Sequence, residues 1–329
     1  MGTGNCHMGG PYGSFPVCEE RWVKYGTEKT RGKVLSHTRY RMEYDGGYEK
    51  MIHEIAPQML DNQYREAEIT DDSCVMLFFE DRLLLEEKDG EIRFPDYGEV
   101  KDKIGEYVYL FSLDGRTYFL AKAVAEEKAF AGFKAVTAIQ LRDKMPVSEA
   151  FAGMTARHLY QWYRSVQFCG CCGTKAVHDK AQRMMRCPKC GNMMFPKISP
   201  AIIVAVTDGE RLLLTKYAGR KTAAYALVAG FVEIGETAEE CVAREVLEET
   251  GLHIEHIKYY GSQPWGFDGN LMLGYTARLS GSHKISLDDH ELSKAIWLKP
   301  EEIPEIPDYS SLTREMIRRF RMGTLQKDM

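Results

Sequence analysis

Short apolar runs separated by turn residues dominate the chain from residue 74 onward. CVMLFF (Cys74–Phe79) and RLLLEE (Arg82–Glu87) flank a short acidic turn and predict a β-hairpin. EYVYLFSL (Glu106–Leu113) and RTYFLAKAV (Arg116–Val124) flank Asp114-Gly115, a dipeptide suited to a two-residue hairpin turn. From Ser148 to Val166 the period changes. Phe151, Met154, Leu159 and Trp162 recur at helical spacing, with Ser148 as the expected N-cap. PAIIVAV (Pro200–Val206), the turn Asp208-Gly209 and RLLLTKY (Arg211–Tyr217) predict a further hairpin, and YALVAGF (Tyr225–Phe231) a further strand. Thr237–Thr250 predicts a helix, capped by Thr237 at its start and by Gly251 at its end. Strands are expected near Ile254–Tyr260, Leu271–Leu279 and Ala295–Leu298, and a closing helix over Leu312–Arg321.

This order predicts a β-rich N-terminal domain over residues 51–166, a cysteine-rich segment over 167–197 and an α/β (α+β) sandwich over 198–329. No catalytic constellation is visible in the first domain, and no internal repeat is visible anywhere. Residues 1–50 hold nine Gly, one Leu and no Ile or Ala, too little apolar surface for a core, so they read as a poorly ordered extension. Met51, where the globular pattern begins, is an alternative start.

Charge and cysteine usage narrow the picture. A net charge of -5 argues against a general DNA-coating role, which needs a basic excess to displace counterions. No run of 18 apolar residues predicts a membrane helix. Residues 1–50 contain no apolar h-region of a signal peptide. Five of the nine cysteines (Cys169, Cys171, Cys172, Cys187 and Cys190) crowd into one segment, which reads as metal binding in a reducing cytoplasm rather than a disulfide framework.

The segment Gly230–Leu252 carries the densest chemistry. On a helix, Glu245, Glu248 and Glu249 share one face, and Glu236 in the preceding loop can approach them. Like charges so placed weaken a bare helix by a few tenths of a kcal/mol per pair. A hard divalent cation such as Mg²⁺ or Mn²⁺ reverses that sign, and it can bridge pyrophosphate oxygens and activate a water. Arg244 reads as a clamp that orients the carboxylates. An isolated E-x-x-E-E would be a solvated acidic face. Here the full pattern Gly230-x5-Glu236-x7-Arg244-Glu245-Val246-x-Glu248-Glu249-x-Gly251-Leu252 matches the Nudix box, and chance gives such a match roughly less than once in a million. The resemblance to Nudix hydrolases implies hydrolysis of a nucleoside diphosphate linked to another moiety. It also implies Glu245 and Glu249 as principal ligands of Mg²⁺ or Mn²⁺, with Glu248 close by and the main-chain carbonyl of Ala229 as a further metal contact.

Cys169-x2-Cys172-x14-Cys187-x2-Cys190 has the spacing of a tetrahedral Cys₄ zinc site. Gly173 and Gly191 follow each knuckle and permit the tight turns. With no open coordination position, this zinc is expected to be structural, one per chain. Cys171 reads as a bystander, Cys241 as a small core residue, and His178 and His290 as surface histidines.

A zinc ribbon directly before a Nudix domain and after a β-rich domain resembles the NADH pyrophosphatase family over about Met51–Met329. SQPWGFDGNLM (Ser262–Met272) is similar to that family's S-Q-P-W-x-F signature. Its residues Ser262, Gln263, Pro264, Trp265, Gly266, Phe267, Asp268 and Gly269 are the expected substrate contacts. Trp265 and Phe267 offer stacking surfaces, and Gln263 a hydrogen-bonding amide. Phe195 and Phe231 are expected to flank the bases as well. The sequence departs from the usual signature at Gly266 and Asp268, where Pro is usual, and at Phe195, where Tyr is common. Glu291, in DDHELSKAIWL, matches a further family metal-binding Glu, and the general base is one of Glu245, Glu248, Glu249 and Glu291. The resemblance implies a Nudix α/β/α sandwich, cleavage of NAD(H) to nicotinamide mononucleotide and AMP, and a homodimer. Two alternatives stay open. One is the same chemistry on ADP-ribose, a related nucleoside diphosphate or NAD-capped RNA; the basic excess of Lys175, Lys180, Arg183, Arg186, Lys189 and Lys197 would steer RNA or, the more ordinary reading, solvate the ribbon. The other is a zinc-ribbon binding protein without activity.

Overall fold

The computed structural model describes residues 51–142, 144–218, 225–287, 292–305 and 310–325. The expected extension over 1–50, together with His290 and Glu291, lies outside the described residues.

Three sheets follow one another along the chain. The first contains β1 (Leu60–Asp61), β2 (Cys74–Phe79), β3 (Arg82–Lys88), β4 (Glu91–Arg93), β5 (Ile104–Leu113), β6 (Arg116–Ala123) and β7 (Lys134–Thr137), with the one-turn helix α1 (Tyr97–Val100) before β5 and the long helix α2 (Val147–Ser165) after β7. A small sheet of β8 (Val177–His178), β9 (Met185–Arg186) and β10 (Met193–Met194) carries the cysteines. The third contains β11 (Ser199–Thr207), β12 (Leu212–Tyr217), β13 (Val228–Phe231), β14 (His253–Trp265), β15 (Asn270–Ser280) and β16 (Leu292–Leu298), with α3 (Ala238–Thr250) between β13 and β14 and α4 (Leu312–Arg321) at the end.

The first and third sheets share one topology. The order β5-β6-β2-β3-β7 corresponds strand for strand to β14-β15-β11-β12-β16. In each, one parallel pair (β2 with β6, β11 with β15) is flanked by antiparallel neighbours. In each, the last strand leads through a 3₁₀ turn into a helix, α2 or α4. The repeat missed in the sequence therefore exists in the fold. What is shared is strand order, which leaves no mark on residue identity. The copies differ in one connection. The one before β14 holds the 13-residue α3, and the corresponding one before β5 holds the four-residue α1 and a three-residue 3₁₀ turn.

The unbroken apolar run of β11 has a direct cause. Ile202, Val204 and Val206 pack with Val242 and Val246 of α3 on one face. Ile203 and Ala205 pack with Met316, Ile317 and Phe320 of α4 on the other. A strand covered on both faces loses the polar alternation of a half-exposed one. Each large side chain so buried contributes about 1.5–3 kcal/mol.

Most expected elements are present, with instructive differences. Asp114 (φ 49°) and Gly115 (φ 85°) form the β5–β6 turn in the left-handed region. The hairpin of β11 and β12 is paired only at Thr207–Leu212, because β13 runs alongside β11 from Ala201 to Val204. Strands β14 and β15 extend further than expected and take Ser262–Trp265 into the ladder. Ser148 does not cap α2. Pro146 holds the N-cap position without a side-chain bond, and Ser148 is buried in the first turn.

The segment entering the first sheet ties it to the third. The N–H of Ile52 donates to the carbonyl of Ser310 at 3.2 Å, and His53 Nδ1 lies 3.4 Å from Gln263 Nε2. Burial pushes the His53 imidazole down from 6.5 to about 4. The unfolded chain therefore binds one more proton than the folded one between these values, and stability falls as pH falls through that window, by up to ~1.4 kcal/mol per pH unit. Urea denaturation at several pH values between 7 and 4 is expected to show His53→Gln with a flatter pH dependence than wild type. Parallel curves would remove His53 as the cause.

Candidate active site and cysteine cluster

Helix α3 is built to begin and end where it does. Thr237 Oγ1 accepts from the Glu240 N–H at 3.2 Å, and the Glu240 carboxylate accepts from the Thr237 N–H at 2.8 Å, a reciprocal capping box. Gly251, at φ 68°, ends the helix in the left-handed conformation. Cys241, Val242, Val246, Glu249 and Thr250 form its buried side.

Arg244 organises the polar side. Its Nε and Nη2 donate to the two oxygens of Glu236 at 2.7 and 2.9 Å. Its Nη1 donates to Glu245 Oε1 at 2.8 Å and to Glu248 Oε2 at 2.9 Å. Nη2 also reaches the carbonyl of Phe231 at 3.0 Å. The Arg244 bond, with the Glu233 N–H, holds the Glu236 carboxyl down to about 2. Cys241 is buried beneath this network, its thiol donating to the Phe231 carbonyl at 3.3 Å.

The glutamates divide by exposure. The Glu248 side chain is 59% exposed and that of Glu245 only 12%, while Glu249 is buried. Glu245 lies directly against Gly230 of β13: a Cβ at that glycine would sit 2.0 Å from the Glu245 carboxyl. The donor set fits a hard divalent cation. It consists of carboxylate oxygens, and Gly230, next to Ala229, leaves room for the Glu245 carboxylate that any side chain there would displace. Among the described residues, only the four cysteines bring three or more ligating atoms within 4.8 Å of one another. In this structure Arg244 draws Glu245 and Glu248 to itself instead.

The expected substrate segment is divided by the pleat. Gln263 is fully buried and is not presented to a ligand: its Oε1 accepts from the Leu312 N–H at 2.7 Å and its Nε2 donates to the Ser310 carbonyl at 2.9 Å, so it caps α4. Phe267 is no stacking surface either, being buried in the core of the first sheet and α2. Ser262, Pro264 and Asp268 are exposed, and Trp265 partly so. The Trp265 ring meets Phe267 edge-on at 4.8 Å, carries the Arg142 guanidinium at 5.3 Å from its centroid, and donates through Nε1 to Asp268 at 3.0 Å. Gly266 abuts Met154 of α2, and Gly269, at φ 75°, abuts His158. Phe195 and Phe231 are each more than half exposed. Register brings these parts to one end of the sheet. Phe231 pairs with Ala201, and Asn270, which closes the turn after Trp265, pairs with Ser199.

In the ribbon, Cys169, Cys172, Cys187 and Cys190 gather as the spacing predicts. The two knuckles repeat one geometry. The N–H of Gly173 donates to the Cys169 carbonyl at 2.9 Å, and that of Gly191 to the Cys187 carbonyl at 3.0 Å, with φ of 71° and 76°. The N–H groups of Cys171 and Cys190 point at Cys169 Sγ and Cys187 Sγ, both at 3.4 Å. Four converging sulfurs suit zinc. Cys171 is exposed and outside the cluster. His178 is partly exposed, with Tyr163 and Tyr64 packed against it and the Tyr163 hydroxyl 2.9 Å from Nε2. Arg183 is not a free cation for RNA. It donates to the carbonyls of Asn62 and Leu110 and so ties the ribbon to the first sheet.

Comparison with known proteins bears on all three segments. Residues 72–162 match the family model "NADH pyrophosphatase-like rudimentary NUDIX domain", residues 164–195 "NADH pyrophosphatase zinc ribbon domain" and residues 197–320 "NUDIX domain". A protein of Photobacterium profundum named "NAD-capped RNA hydrolase NudC" is 40% identical over 54% of this chain and 66% of its own length. One of the same name from Vibrio parahaemolyticus is 35% identical over 54% of this chain and 69% of its own. One from Pseudomonas aeruginosa is 39% identical over 47% and 56%. The match thus spans between about half and two thirds of the length of these curated relatives. A solved Nudix hydrolase from Nitrosomonas europaea covers 48% of this chain and 94% of its own at 20% identity, with a TM-score of 0.40.

Two expectations follow from the geometry. Gly230→Ala will push the Glu245 carboxylate aside while leaving the fold intact, because the obstructing group is the end of a flexible side chain. Calorimetry should then show Mn²⁺ affinity reduced by about tenfold or more, the scale of losing one charged contact. Unchanged affinity would show that Glu245 is not a ligand. Metal analysis should find about one zinc per chain by the four-ligand count, and Cys187→Ser should lose it.

Proposed function

Since the chain belongs to the NADH pyrophosphatase family of zinc-ribbon Nudix hydrolases, we propose that it hydrolyses the pyrophosphate bond of NAD(H), releasing the nicotinamide mononucleotide and AMP. The observation that carries this reading is the order of three matching segments on one chain, rudimentary Nudix, ribbon and Nudix, with the complete acidic box in the last. Glu245 and Glu249, with Glu291 and the Ala229 carbonyl, would hold Mg²⁺ or Mn²⁺. A bound divalent cation supplies charge neutralisation at the pyrophosphate and a more acidic water. The chain's own part is to hold the acidic side chains of the helix in place. Arg244 does so for Glu236, Glu245 and Glu248 by direct ion pairs. One of Glu245, Glu248, Glu249 and Glu291 takes the proton of the attacking water. Phe195, Phe231 and Trp265 flank the bases. Arg142 already lies over the Trp265 ring, 5.3 Å from its centroid, so that face is not open to a base.

The relatives' printed name favours a second substrate, the NAD cap of RNA. Lys175, Lys180, Arg186, Lys189 and Lys197 are exposed on or beside the ribbon and could steer a polyanion. Homodimerisation and a cytoplasmic location are proposed on the family resemblance. The seven described cysteines are all free, and no helix among the described residues is long and apolar enough to cross a membrane.

Glu249→Gln is expected to lower kcat for NADH by about 10²–10⁴-fold at saturating Mg²⁺ or Mn²⁺. Wild-type turnover in that variant would sink the assignment. If the ribbon's basic residues steer capped RNA, its cleavage should fall steeply with salt while that of free NADH stays nearly flat. Equal slopes would show that these residues do not engage the RNA chain.

A further inference from the structure

The turn from Trp265 to Gly269 belongs to the catalytic-type sheet but is held from outside it. Arg157 of α2, on the first domain, donates through Nη1 to the carbonyl of Phe267 and through Nη2 to Asp81 Oδ2 at 2.7 Å. The Arg157 side chain is only 12% exposed and that of Asp81 50%, so the arginine is held largely away from water while its Asp81 end reaches the surface. One residue on, His158 Nε2 lies 2.9 Å from the carbonyl of Lys197, the link between ribbon and Nudix segment, and its ring abuts Gly269. Met154, one turn earlier, meets Gly266 so closely that a Cβ there would lie 2.7 Å from the Met154 carbonyl. Phe267 inserts among buried residues of the first sheet and α2. Four consecutive positions of the turn region are thus engaged: Gly266 by Met154, Phe267 by Arg157 and the core, Asp268 by Trp265, Gly269 by His158.

We propose that Arg157 and His158 are positioning residues for substrate, and that the first domain, which lacks a helix like α3, serves the reaction by fixing the Trp265 turn through them. The inference rests on the reading above that Trp265 flanks a base. It also gives physical content to the absence of proline at 266 and 268. Proline would stiffen the turn by itself. With Gly266 the turn is free in isolation and is set by contact with α2, which needs a residue without a Cβ at that position.

The test uses the full-length zinc-loaded protein. Arg157→Met removes both bonds, and Asp81→Asn, at the surface end, loosens Arg157 without touching the core. Acrylamide quenching of Trp265 emission, taken as the difference from a Trp265→Phe reference, reports the turn directly. Steady-state kinetics on NADH report its use. Arg157→Met is expected to raise KM for NADH by about tenfold, the scale of one lost charged hydrogen bond, with kcat within about threefold of wild type and Trp265 more readily quenched. Asp81→Asn should show the same changes at smaller size, and Arg157→Lys should recover part of the loss. Increased quenching with an unchanged KM would overturn the proposal, and so would unchanged quenching. If Arg157→Met does not fold, Asp81→Asn decides on the same criteria. If wild type fails to hydrolyse NADH, the functional reading falls on its own, whereas quenching still decides whether α2 holds the turn.

Discussion

Concentrated like charge on one helix face is the constraint around which the catalytic-type domain is arranged. Glu245, Glu248 and Glu249 repel one another on α3, and nothing in helix propensity compensates for that. Arg244 does, by reaching Glu236, Glu245 and Glu248 together and closing on the Phe231 carbonyl. That last bond ties the helix to β13, the strand whose Gly230 faces the Glu245 carboxylate. The capping box at Thr237 and the left-handed Gly251 fix where the helix starts and stops, and hence where the carboxylates stand. A single arginine therefore couples loop, helix and strand into one acidic cluster.

The same strand order is used twice with different outcomes. In the third sheet the connection before β14 is long enough for a helix that buries Val242 and Val246 and presents the glutamates. In the first sheet it shrinks to α1, and the acidic face goes with it. What the first copy keeps is its terminal helix, α2. That helix buries Phe151, Met154 and Trp162, and its Arg157 and His158 meet the third sheet and the ribbon link. The domain that lacks a counterpart of α3 thereby holds a turn of the other.

Legibility in the sequence followed the range of the interactions. The acidic helix was readable because cap, face and C-terminal glycine all lie within one short segment. The knuckles were readable because C-x-x-C-G sets its own turn. Misreadings arose where partners are distant. Gln263 looked like a ligand contact, yet it caps α4 some 49 residues on. Phe267 looked like a stacking ring, yet its carbonyl is held by Arg157, 110 residues earlier, and its ring fills another domain's core. Arg183 looked like a steering cation, yet it binds carbonyls of the first sheet. Ser148 looked like a cap because its residue type suits one, while Pro146 two positions earlier already starts the helix. No local pattern encodes such pairings.

The most direct measurement is product analysis of NADH cleavage in ¹⁸O-labelled water with Mg²⁺ or Mn²⁺. The expected result is reduced nicotinamide mononucleotide and AMP in equal amounts, with one ¹⁸O in the phosphate of one of them, since water attacks phosphorus at the acidic site. Release of nicotinamide with ADP-ribose would place cleavage at the glycosidic bond, away from Glu245 and Glu249, and would contradict the assignment.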